Sequence, residues 1–479
     1  MSNWKSLSID DIRAKLAGYG QDHLIAFWPS LSADERDALV ADLAAIHFEQ
    51  VSRLIPEYVT AKPELPMPTS IEPADFFPAA PNIDLVGKYA DAVKAGVSLI
   101  RTNAVAALTV AGGQGTRLGF DGPKGAYRIS PVKRKPLFQL FAENILGTEK
   151  RYGGSIVWYI MTSPVNDADT QAFFEESNYF GMAKENVRFF QQGVMPALSR
   201  DGKILLDQKH RVSLSPDGHG GTILALARSG MLADMADRGI EAISYFQVDN
   251  PAVRAIDPLF IGLHAMGRSE MSSKTIPKAD DLERVGNFVM ADGKLQVIEY
   301  SDLPEKLARA KNEAGGRKFD LGSIAIHVFS RSFIERLTAD AAAFALPWHR
   351  ADKKVAFVDP ASGERIEPAE PNAVKLETFV FDALPLAKKP IVLQTRREEE
   401  FLPVKNATGV DSAETSRAGM IERFATWLES CGFDVPRKAD GTPDGVYEIS
   451  PTFALDAGHL REVLIARPTL TAGQEHYWG

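Results

Sequence analysis

Cysteine is almost missing: the 479 residues contain one, Cys431. A lone thiol excludes an internal disulfide and any cysteine-built metal centre, and it fits a reducing, cytoplasmic setting. No apolar run approaches the roughly 20 residues of a membrane-spanning helix, so no membrane partner is expected. The opening residues, MSNWKSLSIDDIRAKLAGYG, carry acids early and no apolar core of signal-peptide type, which again points to the cytoplasm. Basic charge is also short, since 54 Lys and Arg against 63 Asp and Glu leave a net charge of −9. Such a balance gives no general attraction to nucleic acid or an anionic bilayer. Any anionic ligand must therefore be met by a local cluster of cations. His210, His219, His327 and His349 fall at no zinc-ligand spacing, and there is no G-x-S-x-G nucleophile elbow. Internal repeats and long low-complexity segments are likewise missing.

At this length two or three domains are expected. Residues 9–55 have helical spacing of apolar side chains, and Ser32 in SADERDAL caps a helix with acids in its first turn. A proline-rich passage over 63–81 reads as an extended connector, followed by a helix near 84–95. Short apolar runs then alternate with helical stretches: AVAALTV, PLFQLFAENILGTEKRY, SIVWYIMTS, DADTQAFFEESNYF, VRFFQQ, and later a helix over 232–239 before AISYFQVDN. That alternation is the signature of a parallel sheet with crossover helices, so the central region is expected to be a doubly wound α/β domain. Asp292-Gly293 between apolar residues is a hairpin signal, which adds antiparallel strands. Beyond residue 409 a helix over about 416–429 and strands near Tyr447 and Leu470 suggest a small C-terminal domain.

Three stretches carry candidate chemistry. The first, LTVAGGQGTRLGFDGPKGAY (108–127), sets a glycine-rich turn after an apolar strand, where bare backbone can approach phosphates. It departs from the dinucleotide fingerprint, because Leu118 stands where the third glycine belongs, which disfavours a nicotinamide-dependent oxidoreductase. It departs from the P-loop too, since Lys124 lies between Pro123 and Gly125. Arg117 and Lys124 remain as two cations able to meet a polyphosphate, although a structural loop with two solvated cations has the same appearance. The second stretch, SLSPDGHGGTILAL, places glycines before a helix start, as an anion or sugar site or a plain turn would. The third, YFQVDNPAV, ends a strand on Asp249 and Asn250. A hard cation such as Mg²⁺ would suit Asp249 there, and a turn before Pro251 is the plainer account.

AGGQGTRLG followed by PKG resembles the signature of the eukaryotic-type UDP-sugar pyrophosphorylases, most closely the UDP-N-acetylglucosamine pyrophosphorylases. The likeness continues in order through FFQQGVMPALSRDGKILL, RVSLSPDGHGG, YFQVDNPAVRAIDPLFIG, VIEYSDLP, LPWHRADKKVAFVD, PNAVKLETFVFDALPLAKK, EEFLPVKNATG and YEISP, from about residue 100 to 452. It implies a central nucleotidyltransferase domain with a Rossmann-like mixed sheet over 101–409, an N-terminal helical region over 1–100 and a small C-terminal α+β domain over 410–479. The implied reaction joins UTP to a sugar 1-phosphate with Mg²⁺, giving a UDP-sugar and pyrophosphate. Carried over to this sequence, Arg117, Lys124 and Lys405 act on the phosphates, and Asp249 helps to place Mg²⁺. Gly112, Gly113, Gln192 and Gly218 meet the uridine, while Gly286, Glu299 and the region of Phe379 meet the sugar.

Two positions depart from the acetylhexosamine pattern. His219 stands in the second glycine cluster and Ser323 in SIAI, where that family carries asparagine. The resemblance as a whole implies N-acetylglucosamine 1-phosphate, and these two side chains turn toward glucose, galactose or a broader range of sugar 1-phosphates. A third possibility is a catalytically idle sensor of UDP-sugars, against which the retained Arg117, Lys124, Asp249 and Lys405 argue. The sequence is silent on oligomeric state.

Overall fold

The computed structural model describes residues 4–62, 67–340 and 344–479, and these divide into two compact units. The smaller unit is assembled from residues 1–67, 192–222 and 345–382, and the larger from 68–191, 223–344 and 383–479.

In the smaller unit the helices Ile9–Gly18, Ala33–Ala45 and Phe48–Leu54 supply Leu16, Leu39, Leu43 and Val51 to one core, shared with Leu198, Val374 and Leu376. Ser32 caps the second helix as expected: its hydroxyl accepts from Glu35 N, and the Glu35 carboxylate accepts from Ser32 N. Two buried polar side chains fix these helices to later segments. Gln21 bonds Gly202 O and Ile204 N, each at 2.9 Å. Asp42 accepts from Arg211 at 2.8 and 3.0 Å and from Val212 N at 2.9 Å.

The larger unit is built on a ten-stranded mixed sheet. Four parallel strands lie in the spatial order Val187–Gln191, Val157–Thr162, Val105–Val110, Ala242–Gln247. They are apolar on both faces because the helices between them cover both sides. Beyond them the long strand Leu321–Ser330 runs antiparallel and turns the sheet mixed. The Asp292-Gly293 hairpin forms as read, with both residues at positive φ, between Asn287–Ala291 and Lys294–Ile298. Pro63 to Pro66 of the proline-rich passage lie outside the described residues. Further along it, Ile71–Pro73 pairs as an edge strand with residues 289–291. Residues beyond 409 contribute the helix Ala413–Ser430 and two paired strands, Val446–Ile449 and Glu475–Trp478. Their Phe424, Trp427, Tyr447 and Ile449 join the same core as Val105, Trp158 and Phe246.

The helix expected near 84–95 runs instead over Val86–Arg101, because Gly96 does not end it. That glycine faces the helix Pro258–Gly267, where a Cβ would sit 1.9 Å from Pro258 O. Gly262 reciprocates, its absent Cβ lying 1.7 Å from Ala92 O. In a free helix Gly→Ala is stabilising, by up to about 1 kcal/mol. Here the backbones leave no room, so Gly262→Ala is expected to lose about 1–3 kcal/mol through overpacking, read as a lower midpoint of thermal unfolding. An unchanged or higher midpoint would show that the helices can separate without cost.

Candidate active site

The order of the four parallel strands reverses between Val105–Val110 and Ala242–Gln247, which is where open α/β sheets bind ligands, outside the strands' carboxyl ends. The two ends are flush. Val110 pairs with Gln247, and Val248 N donates to Val110 O at 3.1 Å. One strand runs on into the glycine loop, the other into Asp249.

The glycine loop doubles back on itself. Gly115 N donates to Gly122 O at 2.9 Å and Lys124 N to Gly113 O at 3.1 Å, which returns Lys124 to the stem of the loop. Arg117 stays exposed on the short turn Thr116–Leu118. Gly112 is buried and Gly113 exposed. A Cβ on Gly113 would meet nothing within 4 Å, and its φ is not in the positive region. Nothing inside the fold demands glycine at 113, so the space it leaves is open to a ligand.

Lys405 is brought to the same place by the backbone of its segment. Val404 N donates to Asp249 O at 2.8 Å, and Lys405 N donates to Asp411 O at 2.6 Å. Asn250, buried beside Asp249, clamps that segment from below: its Nδ2 donates to Glu400 O at 2.6 Å and its Oδ1 accepts from Leu402 N at 3.1 Å. The Lys405 ammonium lies 3.6 Å from Asp411 Oδ2 with 42% of its side chain exposed, so it remains free to turn toward an anion. Burial pulls the Lys124 ammonium below its ordinary value, opposed by the Asp249 carboxylate, and the charges of Arg117 and Lys405 add to the depression. Arg117, Lys405 and Asp249 therefore lie within electrostatic reach of Lys124, and Asp411 stands beside Lys405.

Gly286, Glu299 and Ser323 also meet. Ser323 N donates to Gly286 O at 2.8 Å, and a Cβ on Gly286 would lie 3.1 Å from Glu299 Oε1 and 3.7 Å from Ser323 Cβ. A Cβ there would also lie 2.5 Å from Val297 Cγ1, so close packing alone accounts for this glycine.

Gln192, Gly218, His219 and Phe379 belong to the smaller unit. Gly218 has φ +87°, and a Cβ there would lie 2.3 Å from Thr378 O, so close packing alone accounts for this glycine. Thr378 N donates to Asp217 O at 2.8 Å, and Val380 N donates to His219 Nδ1 at 3.2 Å. His219 and Phe379 are thereby stacked, ring centroids 5.3 Å apart, and His349 stacks on Phe379 at 4.2 Å. Burial, with the nearby His349 as a lesser cause, pulls the His219 imidazole down to about 4. It is neutral at pH 7, and with Nδ1 accepting, its proton sits on Nε2. Asp382 Oδ2 holds His349 Nε2 at 2.7 Å.

Sequence reading missed His349 and Asp382, and it missed two further residues. Ser163 and Asn166 follow the strand Val157–Thr162 and reach the backbone of the glycine loop: Ser163 Oγ to Gly112 O at 2.9 Å, Asn166 Nδ2 to Ala111 O at 2.8 Å and Gly113 O at 3.3 Å. In sequence, SPVND reads as an ordinary turn, and only the pairing of Val105–Val110 with Val157–Thr162 reveals its neighbour.

Comparison with known proteins agrees with this geometry. The family described as UTP–glucose-1-phosphate uridylyltransferase matches residues 80–416. The human UDP-N-acetylhexosamine pyrophosphorylase-like protein 1 is 36% identical over 491 residues, covering 96% of each chain. The UDP-N-acetylglucosamine pyrophosphorylase of Saccharomyces cerevisiae is 36% identical over 429 residues, 86% of this chain and 90% of that protein. Among solved structures, the uridine diphosphate N-acetylglucosamine pyrophosphorylase of Trypanosoma brucei superimposes with a TM-score of 0.80 at 27% identity, covering 99% of each chain.

Proposed function

Because the chain belongs to the UTP–glucose-1-phosphate uridylyltransferase family, we propose that it joins UTP to N-acetylglucosamine 1-phosphate, releasing UDP-N-acetylglucosamine and pyrophosphate. The enzyme class, a UDP-sugar pyrophosphorylase, follows from that membership. Similarity to N-acetylglucosamine enzymes along nearly the whole chain supports the sugar. The observation that carries the chemistry is the gathering of Arg117, Lys124 and Lys405 about Asp249 at the sheet's reversal point.

Uridylyl transfer brings two anions together. A phosphate oxygen of the sugar 1-phosphate attacks the α-phosphorus of UTP, and the bond to the departing pyrophosphate breaks on the opposite side. No nucleophilic side chain is needed, because positioning and charge neutralisation supply the acceleration. In this reading Arg117 and Lys124 bind the UTP phosphates and Lys405 faces the sugar phosphate. Gly112, Gly113, Gln192 and Gly218 hold the uridine, while Gly286, Glu299, Ser323, His219 and Phe379 hold the sugar. Asp249 would hold Mg²⁺, which binds through one or two carboxylates together with substrate phosphates. The donor set fits: the Asp249 carboxylate is an oxygen ligand beside the cations read here as phosphate-binding, and among the described residues no group of three or more His, Cys, Asp or Glu is assembled. When bound, the ion would supply positive charge that offsets the charge of the phosphates. Functionally, residues 101–409 would carry the transfer, flanked by 1–100 and 410–479. Among the described residues no helix is long and apolar enough to cross a membrane, and a cytoplasmic location is part of this proposal.

His219 supports a second reading, a glucose or broad-range enzyme, since its fixed Nε2–H presents a single donor where an asparagine amide presents both donor and acceptor. Pyrophosphate release from UTP and Mg²⁺ across a panel of sugar 1-phosphates decides between them. Fastest turnover with the acetylated sugar is expected. No release with any sugar, with UDP-sugar still bound, would leave only a UDP-sugar sensor. Exchanging His219→Asn and Ser323→Asn together is expected to shift the kcat/KM ratio toward the acetylated substrate by about tenfold or more. An unmoved ratio would remove both positions from the sugar pocket.

A further inference from the structure

Three consecutive carbonyls of the glycine loop, those of Ala111, Gly112 and Gly113, are held by two side chains from the neighbouring strand's exit. Asn166 Nδ2 donates to Ala111 O at 2.8 Å and to Gly113 O at 3.3 Å, and Lys124 N adds a second bond to Gly113 O at 3.1 Å. Ser163 Oγ lies 2.9 Å from Gly112 O and 3.0 Å from Asn166 Oδ1. The shorter of these contacts, to Gly112 O, takes its one proton, while Asn166 Oδ1 accepts from Ser163 N at 2.9 Å. Both side chains are out of water, Ser163 at 1% and Asn166 at 0% exposure. In a buried setting such bonds are not exchanged for water, so the three peptide planes are fixed with their carbonyls turned toward Ser163 and Asn166.

We propose that Ser163 and Asn166 set the base selectivity of the enzyme by fixing the loop's peptides so that the N–H groups, opposite the held carbonyls, are what the loop offers. The inference rests on the reading that Gly112 and Gly113 lie against uracil. Uracil carries acceptors at O2 and O4. Cytosine replaces O4 by an amino group, a donor that needs a free carbonyl. A glutamine such as Gln192 cannot make this distinction alone, because its amide can turn over and present donor and acceptor in either order. Backbone whose carbonyls are held from behind cannot turn over. Ser163 and Asn166 are thus positioning residues that act through the loop without touching the nucleotide.

The test compares UTP with CTP in turnover, and UDP with CDP in equilibrium binding, for the wild type, Asn166→Ala and Ser163→Ala. Wild type is expected to favour the uracil nucleotides strongly. Releasing the carbonyls is expected to narrow the UTP to CTP ratio of kcat/KM by about tenfold or more, more for Asn166→Ala, which removes two of the loop's hydrogen bonds, than for Ser163→Ala, which removes one. A merely structural role would lower the thermal midpoint and weaken both nucleotides alike, and an unchanged ratio in both variants overturns the proposal. So does a wild type that accepts cytosine and uracil equally. Should the wild type show no turnover with any sugar phosphate, the enzymatic reading fails, and the UDP to CDP binding ratio still decides the role of the two side chains. If Asn166→Ala does not fold, Ser163→Ala decides alone, since it removes only one hydroxyl.

Discussion

Replacing Lys405 by alanine is expected to slow uridylyl transfer about 10²–10³-fold, the loss that follows removal of one fixed charge from a transition state. The fold should survive. What holds the segment is backbone: Lys405 N on Asp411 O and Val404 N on Asp249 O. The ion pair of Lys405 with Asp411, at 3.6 Å and partly exposed, contributes little stability. The loss should fall on kcat with a smaller change in the KM for UTP, because negative charge near the α-phosphorus grows as the new bond forms. Arginine should restore only part of the rate, since its planar fork is longer and directed differently from an ammonium. Steady-state kinetics at saturating Mg²⁺ checks all of this. A Lys405→Ala enzyme with an unaltered kcat would place the charge compensation elsewhere.

The other large effect concerns stability. Lys274 is 1% exposed, and its ammonium donates to Asp257 Oδ2 at 2.7 Å and to the two Glu400 oxygens at 2.7 and 2.5 Å. Lys274→Met would leave two buried carboxylates without their cation, a change that costs about 3–5 kcal/mol. Replacing Glu400 as well, in Lys274→Met with Glu400→Leu, should recover part of the loss, because an uncompensated charge is removed with its partner. The pH dependence has a definite sign. Burial pushes the Asp257 carboxyl upward, yet the charges of Lys274 and Arg254 outweigh it and hold the group below the ordinary 3.8. A carboxylate depressed in the folded state contributes stability above its unfolded value and loses it as pH falls through the folded one. The wild type therefore forfeits this contribution in the acid range below about pH 4. The variant keeps only the Arg254 share of it, so the gap between the two should narrow on acidification. Thermal midpoints between pH 7 and pH 3 measure it, and a gap that widens toward acid would mean the pair is not ionised as described. Activity should suffer too, since the Glu400 carbonyl anchors Asn250, which orders the approach to Lys405.

Local chemistry was legible in the sequence where it is self-contained. The Asp292-Gly293 turn, the Ser32 cap and the apolar parallel strands each depend on residues a few positions apart, and each is found. What depends on distant segments was not. The helix expected near 84–95 continues through Gly96, whose partner, the backbone at Pro258, lies far along the chain. The last strand, expected near Leu470, is Glu475–Trp478; Leu470 is buried as a single apolar plug, and the chain turns at Gly473 before pairing with Val446–Ile449. The site divides the same way. The glycine loop and Asp249 announce themselves as strand exits, whereas Ser163, Asn166 and the His349–Asp382 pair gain meaning only from neighbours set by the fold.

The smaller unit's three-segment construction sets a condition on its birth at the ribosome. Leu16, Leu39 and Leu43 emerge early, yet the strand bearing Val374 and Leu376, with which they share a core, is made more than three hundred residues later. At ordinary elongation rates that interval is on the order of twenty seconds to a minute. Through it the apolar faces of the first helices have only part of their native partner, the segment bearing Leu198, Ile204 and Val212. The smaller unit thus stays incomplete until its last segment has been translated, while the larger unit, whose four parallel strands are complete by Gln247, can begin to collapse first.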